Sequence, residues 1–264
     1  MPTRIMQILK LGFHILRALN YPLSDHASPE DIRLWCLEFF SHLRIRIHQQ
    51  GCLPDLSKGP YLIVSNHVSW LDPLAICAML PASFVSKVEV GRIPVLGTLA
   101  RRGGTLFLDR SSFRSLGTVS HKMEGMIKAG RSVAFFPEGK TTFGSELLPF
   151  APALFEPACR SRIPILPVAI QYMRKDRTER SIAAAFVDDQ GFLDSFLNVL
   201  GEEGLEVCLG WAAPVLSDRE SRRELAIRSE ANIKEMLGYG DNGHNVVIEG
   251  MRSFGNSPKA GALP

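Results

Sequence analysis

Two side chains in one loop could do proton chemistry. Ser65-Asn66-His67-Val68-Ser69-Trp70-Leu71-Asp72-Pro73 follows a short apolar run and precedes a helical pattern. Asp72-Pro73 has the form of an N-cap followed by a helix-opening proline. On a continuous helix, residues five apart point about 140° away from each other. A turn ahead of the helix can instead fold the Asp72 carboxylate onto the imidazole of His67. A histidine held and polarised by a carboxylate is a general base. The same residues also fit a capping aspartate beside an unconnected loop histidine.

Three further blocks stand at the ends of short apolar runs. Gly104-Thr105-Leu106-Phe107-Leu108-Asp109-Arg110 closes on an acid-base pair. Arg110 could grip a phosphate or carboxylate in fork geometry, or simply pair with Asp109 at the surface. In Phe135-Phe136-Pro137-Glu138-Gly139-Lys140-Thr141-Thr142, Glu138 offers an acceptor for a substrate hydroxyl. Gly139 permits close backbone approach there, and Lys140 with the two threonines offers donors to an anion. A plain turn would use the same residue types. The last block, Ile163-Pro164-Ile165-Leu166-Pro167-Val168, reads as a strand that supports a site without chemistry of its own.

Taken in this order, the four blocks resemble the four motifs of the glycerolipid acyltransferase family. Its signatures are an N-H-x-x-x-x-D block, a G-x-I-F-I-D-R-like block, F-P-E-G, and a V-P-I-I-P-V-like strand. Phe84-Val85-Ser86-Lys87 and Ile93-Pro94-Val95-Leu96-Gly97 resemble the segment between the first two. The resemblance spans roughly residues 60–173. It implies acyl transfer from acyl-CoA or acyl-carrier protein to the free hydroxyl of a lysolipid, the first choice being 1-acyl-sn-glycerol-3-phosphate. His67 and Asp72 would be catalytic, and Lys87, Gly104, Arg110, Glu138, Gly139, Lys140 and Thr141 would bind substrate. The alcohol attacks directly, so the reaction needs no serine or cysteine nucleophile, no cofactor and no metal. One departure concerns the acceptor. Family members acting on lysophosphatidate often continue F-P-E-G with Thr-Arg-Ser, where this chain has Lys140-Thr141-Thr142. Lyso-ornithine lipid is therefore the second acceptor to weigh. A hydrolase is the rival of another class, but the chain has no G-x-S-x-G elbow. A mere lipid-binding module would not need His67 and Asp72 beside anion-binding blocks.

These blocks need a frame. Strand patterns fall at 61–65, 83–87, 105–108, 132–136, 165–171, 182–187 and 205–211. Helical patterns fall near 73–80, 94–102, 114–129, 149–161, 192–200 and 218–237. The alternation predicts an α/β domain over 60–237, with a mixed, largely parallel sheet flanked by helices. An amphipathic two-helix hairpin within residues 1–50 precedes it. On its first helix, 4–19, Gln7, Lys10, His14 and Arg17 form a narrow stripe under a wide apolar arc, which suits a helix lying in a membrane interface. Ser28-Pro29-Glu30-Asp31 opens the second helix, whose inner face runs through Ile47. Residues 238–264, rich in Gly, Asn and Pro, read as a loose tail.

With 45% hydrophobic and 22% charged residues, the 264-residue chain excludes disorder. A net charge of +3 is too weak a bias for a nucleic-acid surface. Five scattered cysteines, odd in number and without a C-x-x-C pair, argue against a disulfide framework or a zinc site and fit a reducing cytosol. Every apolar run is broken by a charge before the roughly 18 residues that a membrane span requires. The expected location is peripheral or monotopic, on the cytoplasmic face of the inner membrane.

Overall fold

The computed structural model describes residues 2–20, 28–55, 59–187 and 190–239. The side of the sheet that carries the N-terminal helices begins with α1 (Pro2–Asn20) and α2 (Pro29–Leu43). Ser28 caps α2 in a full capping box with Asp31, and Pro29 takes the first helical position, as the sequence predicts. The helix then stops earlier than expected. Arg44 adopts a left-handed φ of 58°, and the chain turns into β1 (Arg46–Gln50). Leu43, Ile45 and Ile47 alternate with Arg44, Arg46 and His48, a period of two that marks a strand and that a helical reading runs past.

The other strands are β2 (Leu62–Ser65), β3 (Ser83–Lys87), β4 (Leu106–Leu108), β5 (Val133–Phe135), β6 (Ile165–Met173) and β7 (Glu206–Trp211). They form one sheet in the order β1-β7-β6-β2-β5-β3-β4. Every neighbouring pair is parallel except β6 with β7. The remaining helices are α3 (Asp72–Met79), α4 (Leu96–Arg102), α5 (Phe113–Lys128), α6 (Glu156–Ser161), α7 (Phe192–Gly201) and α8 (Arg222–Met236).

Both faces of the sheet are covered, which is why β2 and β6 read as unbroken apolar runs. Ile63, Leu166, Ile170 and Leu209 pack with Phe39, Phe40, Ile76 and Val199 on the α2–α3–α7 side. Leu62, Val64, Phe135 and Ile165 pack with Met123, Phe155, Leu225 and Ile233 on the α5–α6–α8 side. Helix α2 contributes to this core, and β1 extends the sheet beside β7, with Ile47 opposite Val207 and His48 opposite Cys208.

Three other expectations change. Residues 182–187 form no ladder; the segment turns at Ile182–Ala185 and docks its Phe186 amide on the Val68 carbonyl at 2.9 Å. The helix expected over 149–161 is shortened to a 3-10 turn at Pro152–Phe155 followed by α6, because Pro152 and Pro157 permit only helix beginnings. Residues 240–264 of the expected tail lie outside the described residues, but Tyr239 is packed. Its ring lies 4.9 Å from the Arg180 guanidinium and its hydroxyl donates to the Gly144 carbonyl.

Candidate active site

The parallel strands β2, β3, β4 and β5 end together, with Val64 opposite Phe135 and Lys87 opposite Leu108. The loops beyond these carboxyl ends carry the first three blocks, where ligands of open α/β sheets gather. The fourth block supplies β6, which flanks β2.

Leaving β2, the chain is fixed by Asn66. Its side-chain amide donates to the Ile170 carbonyl at 2.9 Å and accepts the Ile170 N–H at 2.7 Å. This buried side chain thereby continues the β2–β6 pairing one step past the strand. His67 follows, with its ring turned toward the head of α3.

Asp72 is the first residue of α3, and Leu71 occupies the cap position. The expectation that Asp72 caps the helix is therefore corrected. Its carboxylate folds backward, and Oδ2 accepts from Nδ1 of His67 at 2.8 Å and from the backbone amides of Val68 and Ser69 at 2.7 and 2.9 Å. Oδ1 accepts the Tyr172 hydroxyl at 2.7 Å. A fully buried carboxylate is costly unless it is hydrogen-bonded, and this one has four donors. Burial, together with the Asp72 charge, pushes the Tyr172 phenol well above its ordinary range, so it stays a donor. Because a carboxylate only accepts, Nδ1 of His67 carries the hydrogen and Nε2 carries the lone pair. The ring is stacked on Phe136 with centroids 3.9 Å apart and planes 6° apart, and Phe136 leans in turn on Phe84. One edge of His67 is thus fixed by Asp72 and one face by Phe136, leaving Nε2 directed away from both.

Glu138 joins the first and third blocks. Oε1 accepts the His67 amide at 2.6 Å and Oε2 accepts the Leu148 amide at 2.9 Å. Burial raises its carboxyl to about 7, against the pull of these two amides. Where the sequence suggested a free acceptor for a substrate hydroxyl, both oxygens already have backbone donors. Gly139 has φ of +80°, and a Cβ there would meet Nη1 of Arg110 at 2.5 Å. Arg110 donates through that same nitrogen to the Gly139 carbonyl, so the second block is tied to the third. Asp109 takes no part in this; it accepts from the amide and hydroxyl of Ser111. The reading of Asp109 and Arg110 as a surface ion pair is corrected accordingly.

Lys87 and Lys140 are both exposed at this end of the sheet. The threonines serve the loop instead. Thr141 donates its hydroxyl to the Phe186 carbonyl, while Thr142 gives its amide to the His67 carbonyl and accepts the Gly144 amide on its hydroxyl. Gly104 lies at the opposite end of the sheet, where its φ of +75° turns the chain beside Ser83 at the start of β3. Of the seven expected binding residues, Arg110, Glu138, Gly139 and Thr141 are tied into the loops around the dyad, Lys87 and Lys140 are exposed at the same end of the sheet, and Gly104 is not at this end. The residues missing from the sequence reading are Tyr172 and Arg180. Arg180 holds the third block's loop by donating to the Gly144 carbonyl at 2.8 Å.

Comparison with known proteins bears on the family and the fold. Residues 44–171 match the family model described as Acyltransferase. The chain is 33% identical over 245 residues to a 1-acyl-sn-glycerol-3-phosphate acyltransferase of Neisseria meningitidis serogroup B, covering 89% of this chain and 93% of that protein. It is 32% identical over 205 residues to a lyso-ornithine lipid O-acyltransferase of Pseudomonas aeruginosa, covering 78% and 77%. The fold superposes on the crystal structure of the 1-acyl-sn-glycerophosphate (LPA) acyltransferase PlsC from Thermotoga maritima with a TM-score of 0.60 at 20% identity, covering 86% and 87%.

Proposed function

Because the chain belongs to the glycerolipid acyltransferase family, we propose that it moves a fatty acyl group from an acyl-CoA or acyl-carrier-protein thioester to the free hydroxyl of 1-acyl-sn-glycerol-3-phosphate. The observation that carries this is the His67–Asp72 pair, with Nδ1–H held and Nε2 presented. Nε2 takes the proton of the acceptor hydroxyl as its oxygen attacks the thioester carbonyl. Asp72 stabilises the imidazolium without itself being protonated, as the carboxylate of a serine-protease triad does. When the tetrahedral intermediate collapses, the carbon–sulfur bond breaks and the departing thiolate receives the proton from Nε2. His67 returns to its starting form, with no protein nucleophile acylated.

For the acceptor, Arg110, Lys140 and Lys87 offer three exposed cations on the loops and strand ends that carry the first three blocks. This matches a dianionic phosphate better than a zwitterionic amino-acid head group. The relatives that acylate lyso-ornithine lipid keep that acceptor as a second reading. An assay supplying lysophosphatidate and lyso-ornithine lipid side by side, with acyl-CoA and acyl-carrier-protein donors in separate arms, decides both questions. The acceptor reading fails if only lyso-ornithine lipid is consumed, and the enzymatic reading fails if thioester is lost equally without any acceptor.

The protein meets its lipid from the surface. Among the described residues, no helix is long and apolar enough to cross a membrane. Helix α1 buries His14 with Leu11 and Ala18, keeps Lys10 and Arg17 at the surface, and leaves Ile5, Leu9, Phe13 and Leu16 more than half exposed. Ile182 and Phe143, on the loops that dock against the site, are also exposed. These groups enter the head-group region of the cytoplasmic leaflet and bring Nε2 of His67 to the acceptor.

A further inference from the structure

A second group of chemistry-bearing side chains lies between α1 and α2, away from the dyad. His14 is 1% exposed, and its ring is stacked on Trp35 at 4.8 Å. Its Nε2 lies 3.1 Å from the Trp35 carbonyl oxygen. A carbonyl can only accept, so Nε2 carries the hydrogen and Nδ1 is left with a lone pair. That buried Nδ1 has no hydrogen-bond partner, and it faces Oε2 of Glu38 at 3.4 Å, another acceptor. Glu38 and His42 stand four residues apart on α2 and so share one face. Nε2 of His42 is 3.8 Å from Oε1 of Glu38. All three side chains offer ligand atoms within 4.8 Å of one another.

Acceptors that converge in a partly buried seam repel one another unless a positive centre stands between them. A proton on Nδ1 would pair with Oε2 of Glu38 but would leave Nε2 of His42 and Oε1 of Glu38 facing each other without an ion between them. Arg17 is the other cation present; its guanidinium reaches Oε2 of Glu38 at 2.6 Å, leaving the two histidine nitrogens unanswered. A metal ion answers all three. Tetrahedral Zn²⁺ with bonds of about 2.1 Å sets its ligand atoms about 3.4 Å apart. The histidines stand 3.4 and 3.8 Å from the two different oxygens of Glu38, so a small rotation of the carboxylate brings one oxygen to both. A ligating histidine also typically donates its second ring nitrogen to a backbone carbonyl, as His14 does to Trp35. We propose that His14, Glu38 and His42 bind one Zn²⁺ ion, a structural site built without cysteine that clasps α1 to α2 and so sets the angle at which the exposed face of α1 is presented. Arg17, half exposed, gives up Oε2 and swings to solvent when the ion enters.

The test uses the tag-free full chain in detergent, stripped with a chelator and then titrated with Zn²⁺ in competition with a chromophoric chelator. One Zn²⁺ per chain is expected, together with tetrahedral d–d absorption when Co²⁺ is used as the probe, and a thermal midpoint that climbs with Zn²⁺ concentration. His42→Ala and Glu38→Gln should lose the stoichiometric binding and the midpoint shift; both positions are partly exposed, and circular dichroism checks their fold. Binding below one ion per chain in the wild type, or unchanged binding in both variants, overturns the site. So does a midpoint that ignores Zn²⁺ and follows pH alone, which would identify the occupant as a proton.

Discussion

Tyr172 donates its hydroxyl to Oδ1 of Asp72 at 2.7 Å across 100 positions of chain. This bond fixes the carboxylate plane, and that plane aims Nδ1–H of His67. Tyr172→Phe leaves a fully buried carboxylate oxygen without its donor, which should cost about 1–3 kcal/mol of stability. Turnover should fall as well, because the ring loses its alignment. Urea unfolding beside kcat reads both, and a variant that lost stability but kept wild-type turnover would reduce Tyr172 to a packing residue.

His67→Ala should lower kcat by roughly 10²–10⁴-fold, the ordinary loss for a general base. The ring is partly exposed and buries little core surface, so the thermal midpoint should stay near that of the wild type. Asp72→Asn tests the partner. The amide can still accept from the Val68 and Ser69 backbone, but it cannot stabilise an imidazolium, and turnover should drop while the fold persists.

Glu138 gives a pH dependence with a definite sign. Its carboxyl is raised to about 7 from the usual 4.5, so the folded protein holds that proton more tightly than the unfolded chain does. The stability this contributes is fully present below about 4.5 and is lost as the pH rises toward 7. Glu138→Gln should flatten that slope. It should also destabilise the protein at pH 8 by about 1–3 kcal/mol, because one of two backbone amides then faces an NH₂. Unfolding free energies at pH 5 and pH 8, for wild type and variant, provide the check.

Arg110→Ala and Gly139→Ala should give related kinetics, since the arginine is held on the glycine's carbonyl and a methyl at 139 would strike its guanidinium. Both should raise KM for the acceptor more than for the thioester. Gly139→Ala should in addition lose about 1–2 kcal/mol of stability from the left-handed backbone. If the donor's KM moves instead, these residues serve the other substrate.

The exposed face of α1 makes a further case. Replacing Ile5, Leu9 and Phe13 with Glu removes apolar burial worth about 1.5–3 kcal/mol per side chain if each is fully immersed. Vesicle co-sedimentation should fall sharply for this variant. High salt should release the wild type only in part, because nearby cations add only about 1 kcal/mol each. Full retention of the triple variant would place the membrane contact elsewhere on the molecule.

How much of this the sequence discloses depends on how far each partner lies along the chain. His67 and Asp72 are five positions apart, so one turn suffices to join them, and their type and spacing are enough to suggest the pair. The alternation of helix and strand reports the sheet because burial on both faces leaves β2 and β6 uniformly apolar. Tyr172 and Arg180 are not legible as site residues, because their partners Asp72 and Gly144 come within reach only in the folded chain. The 182–187 run is apolar enough for a strand, yet it spends its backbone on Val68 and Thr141. Strand β1 was hidden by a single feature, the left-handed turn at Arg44, which no residue preference announces for an arginine.

The two-way bond between Asn66 and the backbone of Ile170 bears on how the enzyme is made. A nascent chain that has exposed every residue of the first three blocks still lacks the strand on which Asn66 closes and the tyrosine that orients Asp72. His67 therefore gains its setting only after β6 has left the ribosome and docked, and in a half-made chain the pair it forms with Asp72 is not yet aligned.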